Sequence, residues 1–396
     1  MNHAADLPSR PTITDYAAVV RALSAWFVPA QRDLPWREAI NARDPYRVLV
    51  SEVMLQQTTV AAVVPFYRRF IERFPNVQTL AQAEIDEVLP LWAGLGYYSR
   101  ARNLHRCARV VIEQFGGEFP RQLSKVLSLP GVGRYTAGAL TSIAFDAPNP
   151  IVDANVARVI ARVEAIEGDI KAPANQKVLW REAAVWVRTA HQNGIAPSQL
   201  NPSIMELGAL ICRPRDPDCP RCPIASWCAA RKQNRQRELP HFAPKAAFTE
   251  LFDACAFIRE PPQSTLRCDS PDEARVLLRQ RSHEAKIWWR GMWELPRITR
   301  REEESAPAAL KRLMSEEFGV EATIGARLKT VRHGVTTHRI TLDCHAVEWN
   351  GLIEESRARW FSSHEIEALA IPSTMRALLK WLALHPRGDQ QPGLFG

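Results

Sequence analysis

"LSLPGVGRYTAGALTSIAF", Leu127–Phe145, contains two helical patterns separated by a four-residue Pro-Gly-Val-Gly break. The first pattern ends at Leu129, Pro130 with Gly131 and Gly133 makes the turn, and a second helix opens near Arg134. Glycines at such a turn let another backbone come close, and the N–H groups that open the second helix have no partner within it. Those N–H groups can hold a phosphate without reading any base, so Gly131, Gly133 and Arg134 are candidate phosphate contacts.

The rest of the chain suits that reading. It has 396 residues, a hydrophobic share of 46% and a formal charge of +8, which predicts two or three globular domains and a polyanionic partner, with nucleic acid the leading candidate. No run of eighteen apolar residues appears and "MNHAADLPSR" carries no secretory h-region, so the expected location is the cytoplasm. From Asp44 to about His241 amphipathic helices follow one another with short Pro/Gly breaks. "RKQNRQRELPHFAPKAAF", Arg231–Phe248, loses that period and reads as a basic connector. Beyond it, short β-rich runs such as "LFDACAFI" and "HRITLDCHAVEW" surround one helix, "PAALKRLMSEEFG", which predicts an α+β module. The expected boundaries are 1–232 for the helical part, 233–248 for a linker, 249–384 for the α+β part and 385–396 for a loose tail.

"CRPRDPDCPRCPIASWC" gathers Cys212, Cys219, Cys222 and Cys228, with six, two and five residues between them. In a reducing compartment such a cluster points to metal rather than to disulfides, and four thiolates can close one zinc or one iron-sulfur site. Arg213, Arg215 and Arg221 in the same loop would face phosphates.

Two carboxylates stand out. In "RDPYRVLVSEVMLQQT", Asp44 caps a helix with Pro45 at its first position, which leaves Glu52 well inside among Val48, Leu49, Leu55 and Gln56. Desolvation on that face raises a carboxyl pKa and makes a proton donor near neutral pH. In "PIVDANVARVIARV", Asp153 follows Gly133 by twenty residues and is placed to cap the helix carrying Val156, Val159 and Ile160.

"SEVMLQQT", "WAGLGYYSRARNL", "LPGVGRYTAGA", "VDANVARV" and the cysteine loop together resemble the MutY family, the adenine DNA glycosylases of the helix-hairpin-helix (endonuclease III) superfamily. The resemblance implies an all-α glycosylase half, with a six-helix barrel over about 37–147 and a 4Fe-4S subdomain over about 12–36 and 148–232. It implies excision of adenine from 8-oxoguanine:adenine or guanine:adenine mispairs in duplex DNA. In the roles so implied, Glu52 protonates the base, Asp153 steadies the sugar cation, and Tyr135 and Asn155 assist. Gln57, Thr58, Leu95 and Tyr97 would fill the duplex beside the lesion, Glu206 would hydrogen-bond the extruded adenine, and the four cysteines would hold the cluster. Endonuclease III-type lyases carry a lysine where this chain has Tyr135, so strand cleavage is expected to be weak or absent. The family string DGNV appears here with Ala154 in place of glycine. Arg100, Arg102, Arg106 and Arg109, on the helix after "WAGLGYY", are candidates to face phosphates.

In the second half "RLMSEEFGV", Arg312–Val320, resembles an incomplete Nudix box: Glu304 stands upstream, Ile298 replaces the glycine and Leu313 replaces an acid. Glu316 and Glu317 alone are too few for Mg²⁺ hydrolysis, so the domain reads as a binder of the lesion. Thr336, Thr337 and His338 stand where the family's lesion-reading loop falls, and "IWWRGMWELP" is expected to pack the core. Gln391–Phe395, "QPGLF", resembles the peptide by which bacterial repair proteins bind the sliding clamp. A monomer, nucleoid-associated through its DNA, is the expected state.

Overall fold

The structure is a computed structural model that describes residues 15–38, 43–244, 247–260, 275–282, 288–348 and 358–385. The chain divides into two compact units, one formed by residues up to Ile85 with Ser99–Pro244, the other by Asp86–Tyr98 with the chain from Lys245 onward. Asp86–Tyr98, inside the span expected for the helical barrel, therefore groups with the second unit.

The helices in chain order are α1 (Tyr16–Ala30), α2 (Pro45–Leu55), α3 (Val60–Arg73), α4 (Val77–Gln82), α5 (Ile85–Trp92), α6 (Ser99–Phe115), α7 (Leu123–Leu127), α8 (Arg134–Phe145), α9 (Ala154–Val163), α10 (Pro173–Gln192), α11 (Pro197–Leu210) and α12 (Ala229–Lys232). Their starts follow capping chemistry. Asp44 accepts from Tyr46 N at 2.9 Å ahead of α2, and Asp153 accepts from Val156 N at 2.7 Å ahead of α9. α8 differs: its N-cap is Gly133, which offers no side chain, so the first turn keeps its donors. The tight turn before it needs Gly131, whose φ is +75° and whose missing Cβ would lie 2.4 Å from Asn103 Cβ.

α2 packs on α8, and α11 packs on α1, α8 and α9, so the helices bearing the two candidate carboxylates converge. The core beneath them includes Val156, Val159 and Ile160 of α9 with Leu200, Ile204 and Leu207 of α11, all buried. Burying each such side chain stabilises by about 1.5–3 kcal/mol, which fixes α9 and hence the cap at its head. Gly208 permits the close approach, because a Cβ there would meet Asn155 Cβ at 2.6 Å. Ala154 takes the first helical position of α9, where alanine is favoured over glycine, and Asp153 before it keeps extended backbone.

In the second unit β1 (Thr249–Phe257), β2 (Val276–Gln280), β3 (Trp293–Glu294) and β4 (Arg297–Thr299) precede α13 (Ala306–Phe318). β5 (Thr323–Val335), β6 (His338–Glu348), β7 (Ala358–Phe361), α14 (Ser363–Ala368) and α15 (Ser373–Leu384) follow. One sheet has the order β4-β1-β6-β5 with β1 and β6 parallel, and the other has the order β3-β2-β7. α13 covers Ala254 and Ala256 on one face of the first sheet, while Met375, Leu378 and Leu382 of α15 pack with Cys255, Leu342 and Cys344 on the other. "IWWRGMWELP" serves more than the core: Met292 and Leu295 are fully buried, whereas Trp288 is half-buried and lies edge-on to His338, centroids 5.0 Å apart. Gln391–Phe395 lies outside the described residues.

Candidate active site

A cavity of about 1000 Å³ opens among α2, α8, α9 and α11. Glu52, Gln57, Thr58, Gly131, Gly133, Arg134, Tyr135, Asp153, Asn155 and Glu206 all line it. Glu52 is 6% exposed, and Tyr135 Oη donates to its Oε2 at 2.5 Å. Burial pushes the Glu52 carboxyl up to about 7; the Tyr135 hydroxyl and Arg37 pull it down, and the neighbouring Asp153 charge pushes it further up. Near neutrality this group gives or keeps a proton with small changes in its surroundings.

Asp153 is held from three sides. The Val156 N–H reaches Oδ1, the Asn155 amide donates to Oδ2 at 2.9 Å, and Arg158 lies close enough to be felt electrostatically. Burial raises its pKa, and those three groups oppose the rise. Glu52 and Asp153 thus form a pair that differs in support: one carboxyl accepts a single hydroxyl, the other sits at a helix N-terminus among donors that favour its anion.

Arg158 extends this arrangement. Its Nη2 donates to Asn155 Oδ1 at 2.8 Å and to Gly208 O at 2.7 Å, while Nε donates to Cys212 O at 2.7 Å. One turn on, Arg162 donates to Leu239 O, Arg213 O and Pro214 O, and its Nη1 lies 3.2 Å from Cys212 Sγ. The spacing of four places both guanidiniums on one face of α9, tying the cysteine loop to the residues around Asp153. Arg100 departs from expectation. It is 8% exposed and donates to Val53 O at 2.6 Å and Met54 O at 2.9 Å, so it closes the C-terminus of α2 instead of facing phosphates.

Glu206 lines the cavity with its oxygens engaged: Arg32 donates through its backbone N–H at 3.0 Å and through Nε at 2.7 Å, and Arg37 Nη2 donates at 2.9 Å. Burial alone would raise its pKa, yet the bonds from Arg32 and Arg37 hold it below the usual value. A base amine reaching Glu206 would share it with both arginines. Gln57 at φ 59° and Tyr97 at φ 48° occupy the left-handed region that costs a non-glycine residue about 1–2 kcal/mol. Tyr97 is 46% exposed, and Leu95 is buried; both belong to the second unit.

Cys212, Cys219, Cys222 and Cys228 line one interior space with Val159, Arg162 and Ile224. Burial raises the thiols of Cys219, Cys222 and Cys228, that of Cys222 to about 12, which disfavours an unpartnered thiolate there. Among the described residues no group of three or more His, Cys, Asp or Glu side chains is arranged to hold a single metal ion. In the same loop Arg213 and Arg221 pair with Asp216 and Asp218 at 3.8 and 3.4 Å.

In the second unit the hairpin between β5 and β6 carries Thr336 at φ 53°, Thr337 Oγ1 lies 3.2 Å from His338 Nδ1, and Trp288 flanks His338. The acids of the incomplete box are occupied by arginines: Glu304 by Arg312, Glu316 by Arg301 and Arg312, and Glu317 by Arg279.

Residues 50–184 match the model of the HhH-GPD superfamily of base excision DNA repair proteins, and residues 270–381 match that of the NUDIX domain. Human adenine DNA glycosylase is 34% identical over 426 residues, covering 96% of this chain and 76% of the human one. The rat adenine DNA glycosylase is likewise 34% identical, covering 95% of this chain and 80% of its own. A solved thermostable thymine-DNA glycosylase is 30% identical with a TM-score of 0.47, covering 55% of this chain and 97% of its own. The chain belongs to the adenine DNA glycosylase family.

Proposed function

We propose that this DNA N-glycosylase removes adenine from duplex DNA where it is mispaired with 8-oxoguanine or guanine, and leaves an abasic site. Glu52 donates a proton to the purine ring, Asp153 as an anion steadies the positive charge that builds on the deoxyribose, and Tyr135 and Asn155 hold the two carboxyls in place. The reading is carried by one observation: a buried carboxyl with its pKa near 7 shares a cavity with a second carboxyl that caps a helix. Adenine leaves poorly until protonated, and the cation left behind needs a nearby negative charge, so the pair matches both demands. Tyr135 at the hairpin supplies no amine for a Schiff base, which makes the enzyme monofunctional.

The open N-terminus of α8 with Arg134 takes a DNA phosphate, and Gln57, Thr58, Leu95 and Tyr97 occupy the duplex around the extruded base. Thr336, Thr337 and His338, flanked by Trp288, read 8-oxoguanine, and the arginine-paired acids leave that domain a binder. Cys212, Cys219, Cys222 and Cys228 hold a 4Fe-4S cluster, whose contribution when bound is to fix the shape of the loop. No helix among the described residues is long and apolar enough to cross a membrane. The protein works as a monomer on nucleoid DNA, and Gln391–Phe395 offers a clamp-binding peptide.

The test is adenine release under single-turnover conditions from duplexes with adenine opposite 8-oxoguanine, guanine, cytosine or thymine. Release opposite the first two is expected, with Glu52→Gln binding the same duplexes and releasing no base. Release by Glu52→Gln at the wild-type rate would overturn the assignment.

A further inference from the structure

α10 presents its buried face, including Val178, Leu179, Glu182, Ala183, Trp186 and Val187, to the core. The opposite face carries Lys177, Arg181, Ala184 and Arg188, spaced by four, three and four residues and therefore in one stripe. Lys177, Arg181 and Arg188 are exposed. The one acidic residue of the helix, Glu182, is 3% exposed and accepts the Tyr16 hydroxyl at 2.8 Å, so the stripe itself contains no anion. Arg181 touches Glu182 at 3.1 Å, whereas Lys177 and Arg188 form no ion pair with any of the described residues.

The stripe meets the glycine hairpin. Arg134, the first residue of α8, lies with its Cζ 3.8 Å from the ring centroid of Trp180. Stacking holds the guanidinium plane by its face and leaves its N–H edges available, which suits phosphate. Arg134, Lys177, Trp180, Arg181, Ala184 and Arg188 together border one open concavity of about 310 Å³. Lys177 to Arg188 spans about 16 Å of helix at 1.5 Å per residue. Phosphates of one B-DNA strand wind around the axis as they advance about 3.4 Å along it, so a straight helix of that length meets about two or three of them.

We propose that this face of α10 is a second phosphate track for duplex DNA, joined to the hairpin contact through the Arg134–Trp180 stack and binding without regard to sequence or lesion. Its effect is on affinity for undamaged duplex and on the search along it. The proposal rests on the reading of the chain as acting on duplex DNA.

The experiment compares the full-length protein with Lys177→Gln/Arg188→Gln for binding to an undamaged duplex across a series of salt concentrations. Each lost phosphate contact removes about 0.9 from the slope of log affinity against log salt, so the double variant is expected to lose about 2. Lys177→Arg/Arg188→Lys should retain the wild-type slope, and thermal melting establishes that every variant is folded. A slope unchanged in the double variant overturns the track. So does an equal loss in Lys311→Gln/Lys380→Gln, which removes the same charge elsewhere. Failure of the wild type to bind duplex at all would instead overturn the functional reading on which the track rests.

Discussion

Glu52→Gln should stabilise the protein in neutral and alkaline solution while ending its chemistry. The wild-type carboxyl has a pKa of about 7 in the fold against an ordinary value of 4.5. Between those values the folded chain holds a proton that the unfolded chain has released, so stability falls by about 1.4 kcal/mol for each pH unit gained. Over the whole interval the loss is about 3 kcal/mol; it is absent below about pH 4.5 and complete above about pH 7. Glutamine stays neutral throughout and its carbonyl still accepts the Tyr135 hydroxyl, so the variant escapes that loss. For a unit of some two hundred residues about 3 kcal/mol corresponds to roughly 6–12 °C in melting temperature. Thermal melts of both proteins from pH 4.5 to pH 8 should therefore begin together and diverge, with the variant higher. Parallel curves across that range would refute the claim that burial raises this carboxyl, and with it the proton-donor role.

Tyr135→Phe removes a donor that favours the Glu52 anion, so the alkaline limb of the single-turnover rate should move up by about one to two pH units, as expected for a hydrogen bond to a charged group; pH profiles of wild type and variant decide it. Arg158→Gln should slow excision by about 10- to 100-fold through displacement of Asn155 and Asp153, with duplex affinity retained, as read by single-turnover rates and titrations. Cys222→Ser should lose bound iron and visible absorbance together and lower the melting temperature, measured by metal analysis and spectroscopy. His338→Ala should cut the preference for 8-oxoguanine over guanine opposite adenine by about tenfold or more, the worth of one good polar contact to a base; rates on the two duplexes check it.

What the chain disclosed by itself was local. Asp44 and Asp153 announce helix starts, the Pro-Gly-Val-Gly turn announces the hairpin, and an acid among valines and leucines at position 52 announces a raised pKa, because each signal lies within a few residues of its effect. The arginines that organise the site gave no such signal. Arg32 and Arg37 reach Glu206 across about 170 positions, and Arg162 reaches Leu239 across 77. Only packing brings those partners together. Arg100 shows the same limit: an arginine one residue into a helix looks solvent-facing by periodicity, yet its guanidinium meets the carbonyl ends of α2. Trp288 lies in an apolar string of sequence, and its contact with His338 depends on the sheet. The spacing of Arg158 and Arg162 is visible in the sequence, although nothing local says that they point to cysteines.

The arginine-paired glutamates of the second unit set the charge of that surface. Each carboxylate there faces a guanidinium, so a divalent cation would compete with Arg279, Arg301 and Arg312 for the same oxygens. Where those pairs hold, the surface presents little unbalanced negative charge to repel the backbone of a nucleic acid.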